Sequence, residues 1–309
     1  MPEKKEKVVI IAGPTASGKS GLAVELSLLF QGEIVNADSM QVYRYMDVGT
    51  AKPSASEQKA VPHHLLDVVD PDQEFNAALY RSLAVPIIRD VLVRGKVCFV
   101  VGGTGLYIKT LLGGLLECPP SDLVLRQKLR DKAESQGLNA LHKRLEDLDP
   151  ESAKKIHARD RVRVLRALEI MELTKKPLSA MVRGHAFQDA GFQALKICLQ
   201  IDRKELYHRI DERSVLMVEK GLIEETETLL ARGYSPHLKS MKSLGYRHAV
   251  HYLEGRYDRE AMVRQLQMDT RRYAKRQLTW FRADPSIAWI DPQRKEHLVE
   301  TITSFVRDP

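Results

Sequence analysis

The octapeptide Gly13-Pro14-Thr15-Ala16-Ser17-Gly18-Lys19-Ser20 constrains this chain more than any other stretch. It matches G-x-x-x-x-G-K-[ST], follows the β-branched run Val8 to Ala12, and opens the segment Ser20 to Phe30. In that segment Leu22, Ala23, Leu26 and Leu29 fall on one helical face. Strand, glycine-rich turn and helix in this order make a phosphate-binding P-loop. Its backbone N–H groups and the positive helix end cradle a di- or triphosphate, Lys19 adds a point charge, and Ser20 is placed to hold Mg²⁺. The motif specifies a diphosphate without specifying a nucleotide. A short apolar run stopped by Gly-Pro is also the mark of a strand buried on both faces of a parallel sheet.

Glu33 to Ala37 and Val97 to Val101 read as two further strands, the second preceded by a helix from Asn76 to Arg94. This β-α-β rhythm predicts a doubly wound α/β domain over the first 120 residues. Pro119-Pro120 marks a break, and Ser121 to Gly184 shows helical periodicity with no convincing strand. Lys196 to Ile201 alternates and is β-branched, so it is one more strand. If it rejoins the first sheet, the helical stretch before it is an insertion. Helices are expected at Lys204–Lys220, Ile223–Arg232, Gly245–Glu254 and Arg259–Arg282. The expected fold is therefore α/β: a P-loop doubly wound parallel sheet core (1–120 and 190–309), a largely helical insertion domain (121–189) and a helical C-terminal segment.

Composition narrows the setting. No apolar run in the 309 residues approaches the roughly 20 needed to span a bilayer. Val8 to Ala12 is too short for a secretory signal. Cys98, Cys118 and Cys198 are far apart with no CxxC pair, as expected of reduced thiols in a cytoplasmic protein. The formal net charge is +7, yet residues 1–120 hold 12 basic and 13 acidic side chains, so residues 121–309 carry +8. Glu151 to His185 has nine Lys/Arg against four acids, and Arg264 to Arg282 six against one. Tyr273, Trp280 and Phe281 lie within the second run, the interleaving that suits stacking on bases. A solvated helix face explains one such run. Two beside a phosphate-binding domain point to a polyanion.

Two other strand ends carry chemistry. Asn36-Ala-Asp38-Ser39-Met40-Gln41 puts a carboxylate beside the P-loop, where Asp38 is open to three readings: general base, ligand of Mg²⁺ through water, or cap of a following helix. Val100-Val-Gly-Gly-Thr104-Gly ends a strand in a turn whose amides and Thr104 hydroxyl suit an anionic oxygen, or whose glycines admit a close helix. His63-His64 with Asp67 lacks a third metal ligand at sensible spacing and reads as structural. The P-loop alone permits a small-molecule kinase, a prenyltransferase acting on free adenine nucleotides, or a non-catalytic RNA binder with a nucleotide switch. The kinase does not explain two basic helical segments, and an enzyme of free nucleotides would not need a wide RNA surface.

GPTASGKS, NADSMQVY, VVGGTGLY, Arg163–Glu169, Lys242–Arg247 and Thr270–Arg282, in this order, resemble the bacterial tRNA dimethylallyltransferase family. The resemblance runs from about Val8 to Arg282. It implies transfer of a dimethylallyl group from dimethylallyl diphosphate to N6 of the adenosine 3′ of the anticodon, position 37, with Mg²⁺ assisting and diphosphate leaving. It assigns Gly13, Pro14, Thr15, Ala16, Ser17, Gly18, Lys19 and Ser20 to the diphosphate, with Ser20 on the metal, and Asp38 to the N6 proton. Thr104 and Arg126 fall where the reacting groups meet. Asp38, Ser39, Met40 and Gln41, then Val162, Arg163, Val164, Leu165 and Arg166, then Lys242, Ser243, Leu244, Gly245, Tyr246 and Arg247 fall on the tRNA anticodon stem-loop. A monomer is expected. The family commonly has Thr where Ser20 stands and Gln where His248 stands. The chain shows no Cys/His spacing for the zinc finger of eukaryotic relatives, so a bacterial type is expected. An exocyclic adenine amine is a poor nucleophile, and a carboxylate that takes its proton as the C–N bond forms answers that need, which favours Asp38 as base.

Overall fold

In the computed structural model, which describes residues 5–116, 118–185, 191–292 and 294–307, the run ahead of Gly13 is strand β1 (Glu6–Ala12). It leads into α1 (Lys19–Leu29), β2 (Glu33–Asn36), α2 (Ala55–Ala60) and β3 (His63–His64). Then come α3 (Ala77–Val93), β4 (Cys98–Gly102) and α4 (Gly105–Gly113). The helices α5 (Leu123–Ser135), α6 (Leu138–Leu148), α7 (Pro150–Lys155), α8 (Arg161–Thr174) and α9 (Leu178–His185) follow without a strand among the described residues. The chain closes with β5 (Phe192–Leu199), α10 (Arg203–Glu219), α11 (Leu222–Ala231), α12 (Tyr246–Leu253), α13 (Arg259–Arg282), β6 (Ala288–Ile290) and α14 (Lys295–Arg307).

The strands form one sheet in the order β3-β2-β4-β1-β5-β6, with every pairing parallel. β1 lies between β4 and β5, so both its faces and both its edges are covered, which is why it reads as a continuous apolar run. Successive side chains go to opposite faces. Val8, Ile10 and Ala12 join Tyr80, Ala84 and Ile88 of α3, while Val9 and Ile11 join Leu22 and Leu26 of α1 and Leu298 and Ile302 of α14. This is the doubly wound α/β core expected from the sequence. The late strand does rejoin the first sheet. It starts four residues earlier than its alternation suggests, because Phe192 to Cys198 pairs along the whole of β1.

The chain divides into two compact units, Met1–Leu112 with Gly191–Pro309, and Gly113–Ala190. The second unit has its own core of Leu129, Leu141, Leu145, Val164 and Leu168. Three of its five described helices, α5, α7 and α8, begin on aspartate caps: Asp122 accepts from Leu125 N, Asp149 from Ser152 N, and Asp160 from Arg163 N. The boundary expected at 189–190 lies outside the described residues. Among the described residues no helix is long and apolar enough to cross a membrane, and the three cysteines are unpaired.

Candidate active site

Between β1 and α1 the backbone turns through Ala16 at φ 62° and Gly18 at φ 84°. Gly18 is the N-cap of α1 and offers no side chain, so the first-turn N–H groups face the loop without an internal acceptor. Ser17 Oγ is buried there with no hydrogen-bond partner. An unpaired buried hydroxyl costs free energy unless something fills the site. Lys19 Nζ donates to Pro14 O at 3.3 Å. Burial pushes its ammonium down to about 8, against the pull of the Asp38 carboxylate, and Arg213 adds repulsion. A cationic, desolvated, donor-rich pocket of this kind is built for a polyanion.

The ends of β2 and β4 are knitted beside it. Ala37 N donates to Val101 O at 2.7 Å and Thr104 N to Ala37 O at 3.1 Å. A Cβ on Gly102 would fall 2.2 Å from Ala37 O, so only glycine fits that crossing. Thr104 Oγ1 accepts from Ser39 N at 3.0 Å, which leaves its own O–H to donate. No helix follows Asp38; its Oδ1 accepts Met40 N at 2.9 Å in a local turn, so the helix-cap reading falls. The Thr104 amide is committed to Ala37, and Gly103 and Gly105 admit α13: a Cβ there would meet Gln277 Nε2 at 2.2 Å and Trp280 Nε1 at 2.1 Å. These glycines admit close helix packing, and the Thr104 hydroxyl stays available to an anionic oxygen.

Asp38 borders two cavities. A small one of about 20 Å³ also touches Lys19, Ser20, Asn36, Gln41 and His63. A cleft of about 280 Å³ also touches Thr15, Ser39, Met40, Arg213, Tyr273 and Arg276, together with Lys242 to Gly245 and Arg247. The structure thus brings the P-loop, Asp38 to Gln41 and the 242–247 segment to one place. Among the described residues no group of three His, Cys, Asp or Glu is arranged for a metal. His63 Nδ1 instead meets Val61 O, His64 Nε2 meets Glu33, and Asp67 pairs with Lys52.

Three residues of the site were not among the candidates the sequence offered, although Gln277 lies within the Thr270–Arg282 motif. Arg213 of α10 faces Lys19 and Asp38, and burial of its guanidinium lowers its proton affinity while Asp38 raises it. Gln277 of α13, 6% exposed, accepts Thr15 N at 2.9 Å and donates to Gly103 O at 2.9 Å, tying the P-loop to the end of β4. Glu225 of α11 accepts three successive amides, Asp47, Val48 and Gly49, at 2.8–3.1 Å, and the Tyr246 hydroxyl at 2.5 Å. That carboxylate fixes the Gly49–Thr50 wall of the cleft.

Other expectations need correction. Tyr246 is fully buried, so its side chain is core and offers nothing to RNA. Phe281 is likewise core, which removes it from the stacking set; Tyr273 lines the cleft and Trp280 is 39% exposed. In the helical unit Val164 and Leu165 turn into the core, leaving Val162 and Arg163 exposed and Arg166 partly buried. Arg126 belongs to this unit as well. It and Arg166 both donate to Glu169, at 2.7 and 2.8 Å, and Asp122 N donates at 2.9 Å. Glu169 has no exposed surface. Burial alone would raise its proton affinity, but those donors hold the carboxyl below its usual range.

A doubly wound sheet with a P-loop after β1 and a carboxylate after β2, two strands away on the far side of β4, is the frame of an enzyme acting on a phosphorylated substrate. Models of two families match, IPP transferase over residues 41–284 and isopentenyl transferase over 6–68. A tRNA dimethylallyltransferase of Desulfosudis oleivorans is 50% identical over 93% of this chain and 91% of its own length. One of Geobacter metallireducens is 47% identical over 98% of each. The crystal structure of the full-length tRNA isopentenylpyrophosphate transferase from Bacillus halodurans superposes with a TM-score of 0.73 at 38% identity, covering 98% of each chain. That of a eukaryotic dimethylallyltransferase acting on tRNA gives 0.82 at 29% identity, over 97% of this chain and 79% of its own. The chain belongs to the IPP transferase family and is a prenyltransferase.

Proposed function

We propose that this prenyltransferase moves the dimethylallyl group of dimethylallyl diphosphate onto N6 of adenosine 37, just 3′ of the anticodon of tRNA, and releases diphosphate. One observation carries the reading: Asp38 borders both the small cavity shared with Lys19 and Ser20 and the larger cleft. A diphosphate held from one side and an adenine entering from the other meet at that carboxylate. Family membership and the names of the relatives support tRNA and the allyl diphosphate as the substrates.

The chemistry follows from the groups. Breaking the allylic C–O bond builds negative charge on the leaving diphosphate and positive charge on the allyl carbon. The uncapped N–H groups at the start of α1, the buried Ser17 hydroxyl and the Lys19 ammonium stabilise the first as it grows. The N6 lone pair forms the C–N bond while Asp38 takes the proton. Thr104 directs its hydroxyl at the reacting centre. The Ser20 hydroxyl is a hard oxygen donor in the cavity that Asp38 borders, and fits Mg²⁺, which prefers one or two protein oxygens with the remainder from phosphate and water. When bound, the ion offsets charge on the leaving group. Ser39, Met40, Gln41, Lys242 and Arg247 line the entrance for the nucleotide, and Val162, Arg163 and Arg166 grip the anticodon stem-loop. The enzyme works as a cytoplasmic monomer.

The test is incubation with labelled dimethylallyl diphosphate and either unmodified tRNA or AMP, followed by nucleoside analysis. Label on N6 of residue 37 is expected. Label entering AMP but not tRNA, or another tRNA position, overturns the reading.

A further inference from the structure

His248 stands where the family commonly has Gln, and it is neither at the surface nor in the cleft. It is 1% exposed, at the third position of α12, behind the cleft segment that ends in Gly245 and Arg247. Gly245 N donates to His248 Nδ1 at 3.3 Å. Because that amide is a donor, Nδ1 is unprotonated, and the ring proton sits on Nε2. Nε2 lies 3.3 Å from Asp269 Oδ2 on α13. Burial pushes the imidazole down to about 4, so it is neutral at working pH.

Asp269 gathers three more donors: Arg247 Nη2, Gln265 Nε2 at 3.2 Å and Arg272 Nη1 at 3.1 Å. Burial works against its charge, yet these donors hold the carboxyl down to about 2. It lies one helical turn ahead of Tyr273 and two ahead of Arg276, both cleft residues. The carboxylate thus ties Arg247, which reaches the cleft, to the helix that forms the opposite wall.

Resting on the prenyl-transfer reading, we propose that His248 and Asp269 are positioning residues for the RNA acceptor: they fix the Gly245 turn and the Arg247 side chain before the nucleotide enters. An arginine whose rotamer is set in advance loses less conformational freedom on binding. The geometry also explains the exchange with Gln. At the third position of a helix, Gln reaches back to the cap N–H as a capping-box residue. Its amide presents an acceptor beside a donor, as neutral His248 does with Nδ1 and Nε2. Ala presents neither.

The experiment uses full-length His248→Ala, His248→Gln, Asp269→Asn and the Ala/Asn double variant. Both substrates are varied in steady state, and binding of an unmodified anticodon stem-loop RNA is followed by fluorescence anisotropy. His248→Ala raises KM for tRNA and Kd for the stem-loop about tenfold, with donor KM within about twofold. His248→Gln returns both to within about twofold of the parent. Asp269→Asn matches His248→Ala, and the double variant is no worse, as expected of one unit. The proposal falls if His248→Ala leaves RNA affinity unchanged, if both substrates weaken equally, if a folded Gln variant fails to rescue, or if the two losses multiply. Should the parent transfer nothing to tRNA, the prenyl-transfer reading fails by itself, while the anisotropy arm still decides the positioning.

Discussion

Replacing Gln277 by Ala should loosen the floor of the active site. Its amide satisfies Thr15 N and Gly103 O, each at 2.9 Å, in a spot where the side chain is only 6% exposed. Two lost hydrogen bonds amount to about 2 kcal/mol, and each backbone group left without a partner adds up to about 1–3 kcal/mol. Water entering the vacated space recovers part of this, so the expected loss is about 3 kcal/mol. At an m-value of about 2–3 kcal/mol/M, the urea midpoint should drop by roughly 1 M. Thr15 N belongs to the P-loop, so KM for the allyl diphosphate should rise about tenfold while KM for tRNA holds. Gln277→Glu separates the two halves of the contact. It still accepts from Thr15 but sets a carboxylate against Gly103 O and beside the diphosphate, and donor KM should suffer more than in the Ala variant. A Gln277→Ala protein with its midpoint within about 0.2 M and donor KM within about twofold would refute the bridging role.

Asp38→Ala should cut turnover by at least about 10²-fold while stem-loop affinity stays within a few-fold; near-normal turnover in a single-turnover assay removes Asp38 as base. If Lys19 binds the diphosphate, it does so as a cation, and burial has brought its pKa from 10.5 to about 8. Donor affinity measured by calorimetry should therefore fall as pH rises through about 8. Lys19→Arg should bind more weakly but without that decline, and a flat profile for the parent contradicts the assignment. The same shift has the opposite sign for folding: between about 8 and 10.5 the unfolded chain holds more protons at this site, so its contribution to stability grows with pH. Affinity for tRNA should drop steeply with salt, log K falling linearly in log salt; a flat dependence rules out the basic surfaces.

The core was legible where burial is complete. β1 and β4 are covered on both faces, so Val8 to Ala12 and Cys98 to Val101 read as unbroken apolar runs next to turn signals, while β2 holds Ile34 and Val35 between the polar Glu33 and Asn36. β3 and β6, two and three residues long, carry no pattern and exist through pairing with β2 and β5. The P-loop, Asp38 and Thr104 were visible because each lies in a local strand-end motif. Arg213 and Gln277 were not, since helices remote in sequence deliver them. Gln277 did leave a trace: it occupies the buried face of α13 between Met262, Leu266, Thr270, Ala274 and Phe281, where a long polar side chain must have partners. Carrying whole motifs across misled at Val164, Leu165 and Tyr246, because a helical run cannot present every residue to one side. The charge count also overstated what is free. Arg144, Arg161 and Arg183 are engaged by Glu172, Glu134 and Glu151 within the helical unit.

The pairing of β1 with β5 joins residues 186 positions apart, Glu6 with Phe192. A ribosome adding about 5–20 residues per second needs roughly 10–40 s to make that span. Throughout it, β1 exposes an unpaired apolar edge, the kind of surface on which other chains add a strand. The helices of 113–190 have a core of their own and begin to form during this interval. A chain that stalls before Leu199 therefore presents a finished helical unit and an unfinished sheet, and its hazard lies in aggregation through the strand that leads into the P-loop.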